Sequence, residues 1–282
     1  MKKRFPIDEK RVELRKVFSE NKGIPERLLA DNQYFCDFNL DLPTYEQGKI
    51  NQFNGKNYGT LEEDAKITFD LRTIRNVIIK QNFPKDDDSV VYEIFNRLNS
   101  GGMNLSAQEI RSCLYHSPFM EMISRINLNS DWRILTKQPI PDLHMKDIEV
   151  LLRGFSMLIN SNSYRPSMTK FINAFAKSAK TISVEDTEYI ETLTGKFVAE
   201  VLSVNPDAFI GKAGQFNVSV FESIFVATCE NAYNGRNLDI KHPTIETIAS
   251  LKGNAEFIEA TQSRTAGSGN VKNRIRLAKE LL

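Results

Sequence analysis

Apolar residues recur at helical spacing along much of this chain, but the signal is weak at its start. Glu9 to Ser19 shows a helical period with few apolar positions, which predicts an exposed and weakly amphipathic helix. The string "GIPERLLADN" predicts a short helical turn after it. From Tyr34 to Gly59 the chain is rich in Asn, Gly and Pro, so we expect a loop there.

The segment from Ile67 to Gln81 leaves two interpretations open. The spacing of Leu71, Ile74 and Ile78 favours a helix, whereas the β-branched residues of the second half favour a strand. A boundary follows at Pro84 to Ser89, "PKDDDS", whose three aspartates suit the N-terminus of a helix.

A run of three helices is predicted after this boundary. The first carries an i, i+3, i+4, i+7 set of apolar residues that marks one buried face: Val91, Ile94, Phe95 and Leu98. The second begins with the capping box of Ser106 and Glu109. The third begins with Ser117 as the cap and Pro118 at the first helical position.

The rest of the chain is predicted to be mostly helical. "KDIEVLLRGFSMLI" places five apolar residues on one face, and four later strings have comparable patterns: "SMTKFINAFAKSAK", "SVEDTEYIETLTGKFVAEVLSV", "FNVSVFESIFVATCENAYNG" and "GNVKNRIRLAKELL". Gly235 and Gly253 lie where helices are expected to stop. We find no internal repeat, so the fold expected over this part is a helical bundle.

Composition restricts the class of protein. A net charge of +1 excludes a global field that would attract nucleic acid, so any basic surface must be local. The three cysteines are scattered, which fits reduced thiols in a cytoplasmic protein. No apolar run is long enough to cross a membrane, and the basic start lacks the apolar core of a signal peptide.

The string "RLNSGG", Arg97 to Gly102, has two interpretations. As a corner between helices it needs Asn and Gly only for their access to positive φ. As a phosphate-binding loop it would use the N–H groups of residues 100 to 103 together with Arg97 and the start of the next helix. It is neither a Walker A loop nor GxGxxG, so the six residues alone do not decide between the two.

The longer run "VVYEIFNRLNSGGMNLSAQEIRSCLYHSPFMEMI" is more specific. It resembles the signature of the GmrSD-type family, ParB-like proteins of bacterial restriction and anti-phage defence. Two later strings agree, one of them with an inward arginine at Arg153. The match falls on Phe95, Arg97, Leu98, Asn99, Gly101, Gly102, Leu105, Glu109, Ile110 and Arg111.

The resemblance implies a fold and an organisation. We expect a mainly α protein: a helical bundle attached to the remnant of a small α+β ParB-like N-terminal part. Residues 1–88 would be that remnant with an irregular segment, and residues 89–282 the helical domain that carries the RLNSGG motif. The resemblance also implies that Arg97, Asn99, Ser100, Gly101, Gly102 and Arg111 hold a phosphate of nucleic acid or nucleotide.

One family feature is missing from this sequence. The D-G-Q-Q-R motif, implicated in nucleotide hydrolysis and nuclease action, does not occur. We therefore expect the chain to begin just downstream of it, as a truncated product, one half of a split system, or a wrongly assigned start. Catalysis by this chain is left open, and an NTP with Mg²⁺ is expected only where the motif is supplied. His242 lacks the partners of an HNH nuclease, so no catalytic residue is assigned.

Other groups with possible chemistry have simpler explanations. The three histidines, His116, His144 and His242, are far apart, so no metal site is predicted. Because Glu109 already has a capping role, Arg111 is the better candidate for binding a ligand or for bridging to the N-terminal part. A secondary basic patch is predicted near the C-terminus, with its cations mostly outward around a buried stripe: Arg264, Lys272, Arg274, Arg276 and Lys279.

Two functions follow as hypotheses. In the first, the chain is a component of a restriction or anti-phage system and its helical part faces DNA or a nucleotide. In the second, it is a catalytically inactive interaction module that pairs with a full-length relative, another protein or a second copy. Neither hypothesis involves a membrane.

Overall fold

The computed structural model describes residues 4–21, 23–44, 48–73, 94, 97, 105–211, 214–262 and 264–282. The chain divides into two compact units, Met1–Asp88 and Ser89–Leu282. Each unit is described by itself. The predicted helix after the aspartates of residues 86–88 lies outside the described residues, apart from Ile94 and Arg97, which are both helical.

The first unit combines short helices with a two-stranded sheet. Its elements are β1 (Arg4–Pro6), α1 (Arg11–Asn21), α2 (Glu26–Leu29), β2 (Phe35–Asp37) and α3 (Glu63–Asp70), with 3₁₀ turns at Asp8–Lys10 and Tyr58–Thr60. The strands are antiparallel, with Phe5 opposite Cys36. The prediction of a loop from Tyr34 is therefore wrong for β2. Three residues are too few to show a period of two, and the strand exists only because β1 pairs with it.

Two other predictions in this unit have different outcomes. The helix and the helical turn expected near the start are confirmed as α1 and α2. The ambiguous segment from Ile67 is helical as far as Asp70, as the end of α3. The half of it that could have been a strand, residues 74–81, lies outside the described residues.

The second unit consists of helices. They are α4 (Ala107–Leu114), α5 (Pro118–Leu128), α6 (Ser130–Thr136), α7 (Lys146–Asn160), α8 (Met168–Ser178), α9 (Val184–Val204), α10 (Val218–Asn234), α11 (Ile245–Gly253), α12 (Ala255–Gln262) and α13 (Ser268–Leu281). Short 3₁₀ turns at Ser161–Ser163 and Ala179–Thr181 connect three of them. The prediction of a mainly α fold with a small α+β part near the N-terminus is confirmed.

Side-chain caps fix where these helices begin. The Ser117 hydroxyl accepts a hydrogen bond from the N–H of Met120 at 3.3 Å, and Pro118 occupies the first turn, as predicted. Asn129 caps α6 through the N–H groups of Asp131 and Trp132. The sequence analysis missed α6, because seven residues are too few to show an apolar stripe; α12, with eight residues, was missed for the same reason.

The core of the second unit is rich in aromatic rings where α7 and α10 cross. The ring of Phe221 lies 5.0 Å from that of Trp132 and 5.6 Å from that of Phe225, centroid to centroid. Gly154 permits this approach, because a Cβ there would lie only 2.7 Å from Cε1 of Phe221. The predicted face of α7 is buried in this core, as expected: Ile148, Leu151, Leu152, Phe155 and Leu158.

Candidate functional site

The start of α4 is held by a reciprocal cap. The hydroxyl of Ser106 accepts from the N–H of Glu109 at 3.1 Å, and the N–H of Ser106 donates to Oε2 of Glu109 at 2.7 Å. The capping box predicted from the sequence is therefore confirmed. Since Glu109 is largely buried, its carboxylate supplies negative charge to a helix end that would otherwise be positive.

A contact with the turn before α7 strengthens this cap. The Ser106 hydroxyl donates to the backbone oxygen of His144 at 2.6 Å. Nδ1 of the exposed His144 side chain lies 3.5 Å from Oε2 of Glu109. The first turn of α4 is thus attached both to its own third residue and to a segment 38 positions away.

Replacing Ser106 by alanine should lower the free energy of unfolding of the helical unit by about 1–2 kcal/mol, because both hydrogen bonds of the hydroxyl are lost. Urea unfolding followed by Trp132 fluorescence measures this, since Trp132 is the only tryptophan and is buried in this unit. Ser130→Ala is the matched control: Ser130 is exposed and does not cap a helix. An equal loss in both variants would contradict the prediction.

Arg111 is buried in the structure, with 1 % of its side chain exposed. Its Nε donates to Oε1 of Gln108 at 2.8 Å, and one terminal nitrogen donates to Oδ1 of Asn173 on α8 at 3.1 Å. The other terminal nitrogen pairs with the carboxylate of Glu149 on α7. All three guanidinium nitrogens have partners within the helical unit. The geometry therefore favours an anchor between α4, α7 and α8, and a role of Arg111 in ligand binding stays a prediction.

The RLNSGG motif is described at one residue only. Arg97 is helical and exposed, so its guanidinium can reach solvent. Asn99, Ser100, Gly101 and Gly102 lie outside the described residues, and their part in phosphate binding stays a prediction. The described geometry next to them consists of the capped start of α4 and its contacts to α7 and α8.

The C-terminal basic patch needs one correction. Arg264, Lys272 and Arg276 are exposed, but Arg274 is completely buried, so its expected outward orientation is wrong. Two other members are paired with carboxylates: Lys279 lies 2.5 Å from a carboxylate oxygen of Glu230, and Arg276 lies 2.8 Å from Glu280. The predicted apolar stripe of α13 is confirmed, with Val271, Ile275 and Ala278 buried.

Arg274 belongs to a charge cluster that the sequence analysis missed. Glu222 on α10 is completely buried and pairs with Arg274 at 2.6 Å and with Arg153 of α7. Arg274 also donates to the backbone oxygen of Thr265 at 2.5 Å. Burial lowers the pKa of Arg274 below its usual value, and the Glu222 carboxylate opposes that shift. The inward arginine expected at Arg153 is confirmed by this contact.

A second buried network lies between α5, α6 and the start of α7. The Asp147 carboxylate accepts from Arg133 at 3.0 Å, from Asn127 at 2.9 Å and from the N–H of Asp142 at 3.0 Å. Burial lowers the pKa of Arg133, while Asp147 acts in the other direction. The spacing of these residues in the sequence contains no signal for this network, because its members come from separate elements.

A small cavity of about 130 Å³ opens between α5, α6 and α9. It is lined by Arg125, whose guanidinium is held by Glu191 at 2.5 Å, and by the edge of Trp132. Among the residues that the structure describes, no group of three or more His, Cys, Asp or Glu side chains is arranged to hold a metal ion. None of the helices described above is long and apolar enough to span a bilayer.

Comparison with known proteins gives one match. Residues 3–116 match the family model described as the GmrSD restriction endonuclease, N-terminal domain. This range includes the first unit, the RLNSGG motif and α4. No curated protein and no solved structure matches the chain.

Proposed function

We propose that the chain is a DNA-directed component of a restriction or anti-phage system, because its residues 3–116 match the N-terminal domain of the GmrSD restriction endonuclease. In this role the RLNSGG segment and the start of α4 face a phosphate of DNA or of a nucleotide. The family match carries the proposal, since its range includes the motif, and restriction endonucleases act on DNA.

The described geometry supports different roles for the helix end, for Arg97 and for the backbone N–H groups at this site. Glu109 already satisfies the first turn of α4 and brings a negative charge, so the helix end alone is a poor site for an anion. The positive charge of the site therefore comes from Arg97, which is exposed. The N–H groups of residues 100 to 103 would add the hydrogen bonds of an anion-binding loop.

Replacing Arg97 by alanine should weaken binding of a labelled duplex DNA or of an NTP about tenfold, the effect of losing roughly 1.4 kcal/mol from one charged contact. Fluorescence anisotropy at several salt concentrations measures it. For the duplex the slope of log K against log salt should fall by about 1.

The control is Lys16→Ala, which removes an exposed cation from α1, far from the motif in sequence. We expect it to bind like the wild type. If the wild-type chain binds neither ligand, or if both variants lose affinity equally, the assignment of Arg97 is wrong.

A second candidate function, an interaction module, is favoured by the surface of the first unit. Several of its large apolar side chains are about half exposed or more: Phe5, Phe18, Phe38, Ile50, Ile67, Phe69 and Leu71. Among the residues of this unit that the structure describes, the buried apolar side chains are those of Leu14 and Phe35. Apolar surface of this kind marks protein interfaces. A stable oligomer in sedimentation, together with no salt-dependent DNA or NTP binding, would favour this function over the first.

A further inference from the structure

A long segment of the helical unit contains cations and no acid. Residues 150–184 include Arg153, Arg165, Lys170, Lys177 and Lys180 but neither Asp nor Glu. The whole chain has 36 acids in 282 residues, so about four would be expected in these 35 residues. With a net charge of only +1 overall, this segment has a local excess of five positive charges because it lacks acids.

Arg153 lies on α7 and pairs with the buried Glu222. The structure places the other four cations on the outer side of α8 and its flanks. The opposite face of α8 is buried through Phe171, Ile172, Phe175 and Ala176. Lys170 and Lys177, seven residues apart, lie two helical turns apart on the outer face, a separation of about 10 Å. Arg165 precedes the helix and Lys180 follows in a 3₁₀ turn, and both are exposed.

Some exposed cations of the unit have carboxylate partners. Lys137 pairs with Asp207 at 2.6 Å, and Arg236 with Asp186. By contrast, Arg165, Lys170 and Lys180 form no ion pair with any residue in the described part of the chain; the guanidinium of Arg165 donates only to the neighbouring backbone oxygen of Tyr164. Their charge is therefore directed to solvent.

This surface borders the helix that continues the RLNSGG motif. Asn173, between Lys170 and Lys177 on α8, accepts a hydrogen bond from Arg111 of α4 at 3.1 Å. Arg111 also pairs with Glu149 of α7. Arg111 is in the last turn of α4, so the end of α4 and the middle of α8 are held together.

We propose that Arg165, Lys170 and Lys180 form a basic ridge that contacts the phosphate backbone of duplex DNA. This inference rests on the proposed function, from which it takes DNA as the ligand. From Lys170 to Lys180 the ridge extends roughly 15 Å along the helix axis. Duplex DNA has one negative charge about every 1.7 Å along its axis, so several phosphates are within reach of the ridge.

The chemistry of the ridge favours a duplex over other polyanions. Single strands are bound through exposed aromatic rings, and anionic membranes through exposed apolar side chains. The aromatic rings between residues 161 and 183, those of Tyr164, Phe171 and Phe175, are all buried, and the large exposed apolar side chain of the segment is Val184 at its end. Cations without such groups fit sequence-independent contact with a duplex backbone.

The test is the triple variant Arg165→Gln, Lys170→Gln, Lys180→Gln, in anisotropy titrations of the full chain with a labelled 20-base-pair duplex. Three lost phosphate contacts should lower the slope of log K against log salt by about 2–3 and weaken binding at low salt at least tenfold. The control triple Lys137→Gln, Arg236→Gln, Arg125→Gln removes the same charge from cations that carboxylates already pair. We expect it to change affinity less than threefold. Trp132 fluorescence verifies that both variants are folded.

The outcomes separate this inference from the proposed function. Suppose that the wild type binds the duplex, that Arg97→Ala weakens this binding, and that the two triple variants bind the duplex equally well. The proposal of the basic ridge is then wrong, and the assignment of Arg97 to the motif site is supported. If the salt dependence of binding is lost in the triple variant of the ridge but not in Arg97→Ala, the basic ridge is supported and the assignment of the motif site is wrong. Absence of duplex binding by the wild type overturns both. Tighter binding to a single strand or to anionic lipid vesicles than to the duplex overturns the assignment of the partner.

Discussion

Replacing Glu222 by alanine is expected to lower the free energy of unfolding of the helical unit by about 3–5 kcal/mol. Glu222 is completely buried and is the counter-charge for both Arg153 and Arg274. Without it, Arg274 stays buried with an uncompensated charge, because a guanidinium keeps its proton in proteins. Urea unfolding followed by the fluorescence of Trp132 measures the change in this unit.

Two controls distinguish the buried pair from an ordinary one. Glu230→Ala removes a partly exposed partner of Lys279 and should cost less than about 1 kcal/mol. In the triple variant Glu222→Leu, Arg153→Met, Arg274→Met no charge of this cluster remains buried, and most of the lost stability should return. If Glu222→Ala unfolded at the same urea concentration as the wild type, the prediction would be wrong. Water, and not Glu222, would then be what stabilises the charges of the two arginines.

The cluster of Glu222, Arg153 and Arg274 shows how much of the fold can be predicted from the sequence. On a helical projection, Arg274 lies three residues after Val271 and one before Ile275, so its position belongs to the buried stripe of α13. As a cation, Arg274 was expected to point outward, whereas its position in the helix predicts burial. In the structure it is buried, as its position predicts. The partner that makes burial tolerable, Glu222, is 52 residues away, and no local pattern contains it.

Local signals were reliable where the chemistry itself is local. The cap of α4 needs only Ser106 and Glu109, three residues apart, and both hydrogen bonds are present. The strands β1 and β2 need each other across 30 residues and were not predicted individually. Of the candidate site, the exposed cation of Arg97 could be expected from sequence; the acid-free segment that includes α8 is also visible in the sequence, but its lack of ion-pair partners needs the structure.

Replacing Arg111 by alanine is expected to lower the free energy of unfolding by about 2–3 kcal/mol, through the loss of charged hydrogen bonds that connect α4, α7 and α8. The cost should be smaller than for Glu222, because the partner Glu149 is 42 % exposed and can be solvated once its arginine is gone. Arg111→Lys should recover little, since an ammonium cannot reach three partners in the geometry of a guanidinium.

The comparison with Arg97 separates an anchor from a ligand-binding residue. Both arginines belong to the resemblance on which the site was predicted, but Arg97 is exposed and Arg111 is buried. Arg97→Ala should therefore change stability by less than about 0.5 kcal/mol and weaken binding, whereas Arg111→Ala should lower stability. If Arg111→Ala left the urea midpoint unchanged and abolished binding, Arg111 would be a ligand-binding residue, and its partners in the structure would be those of the unbound form.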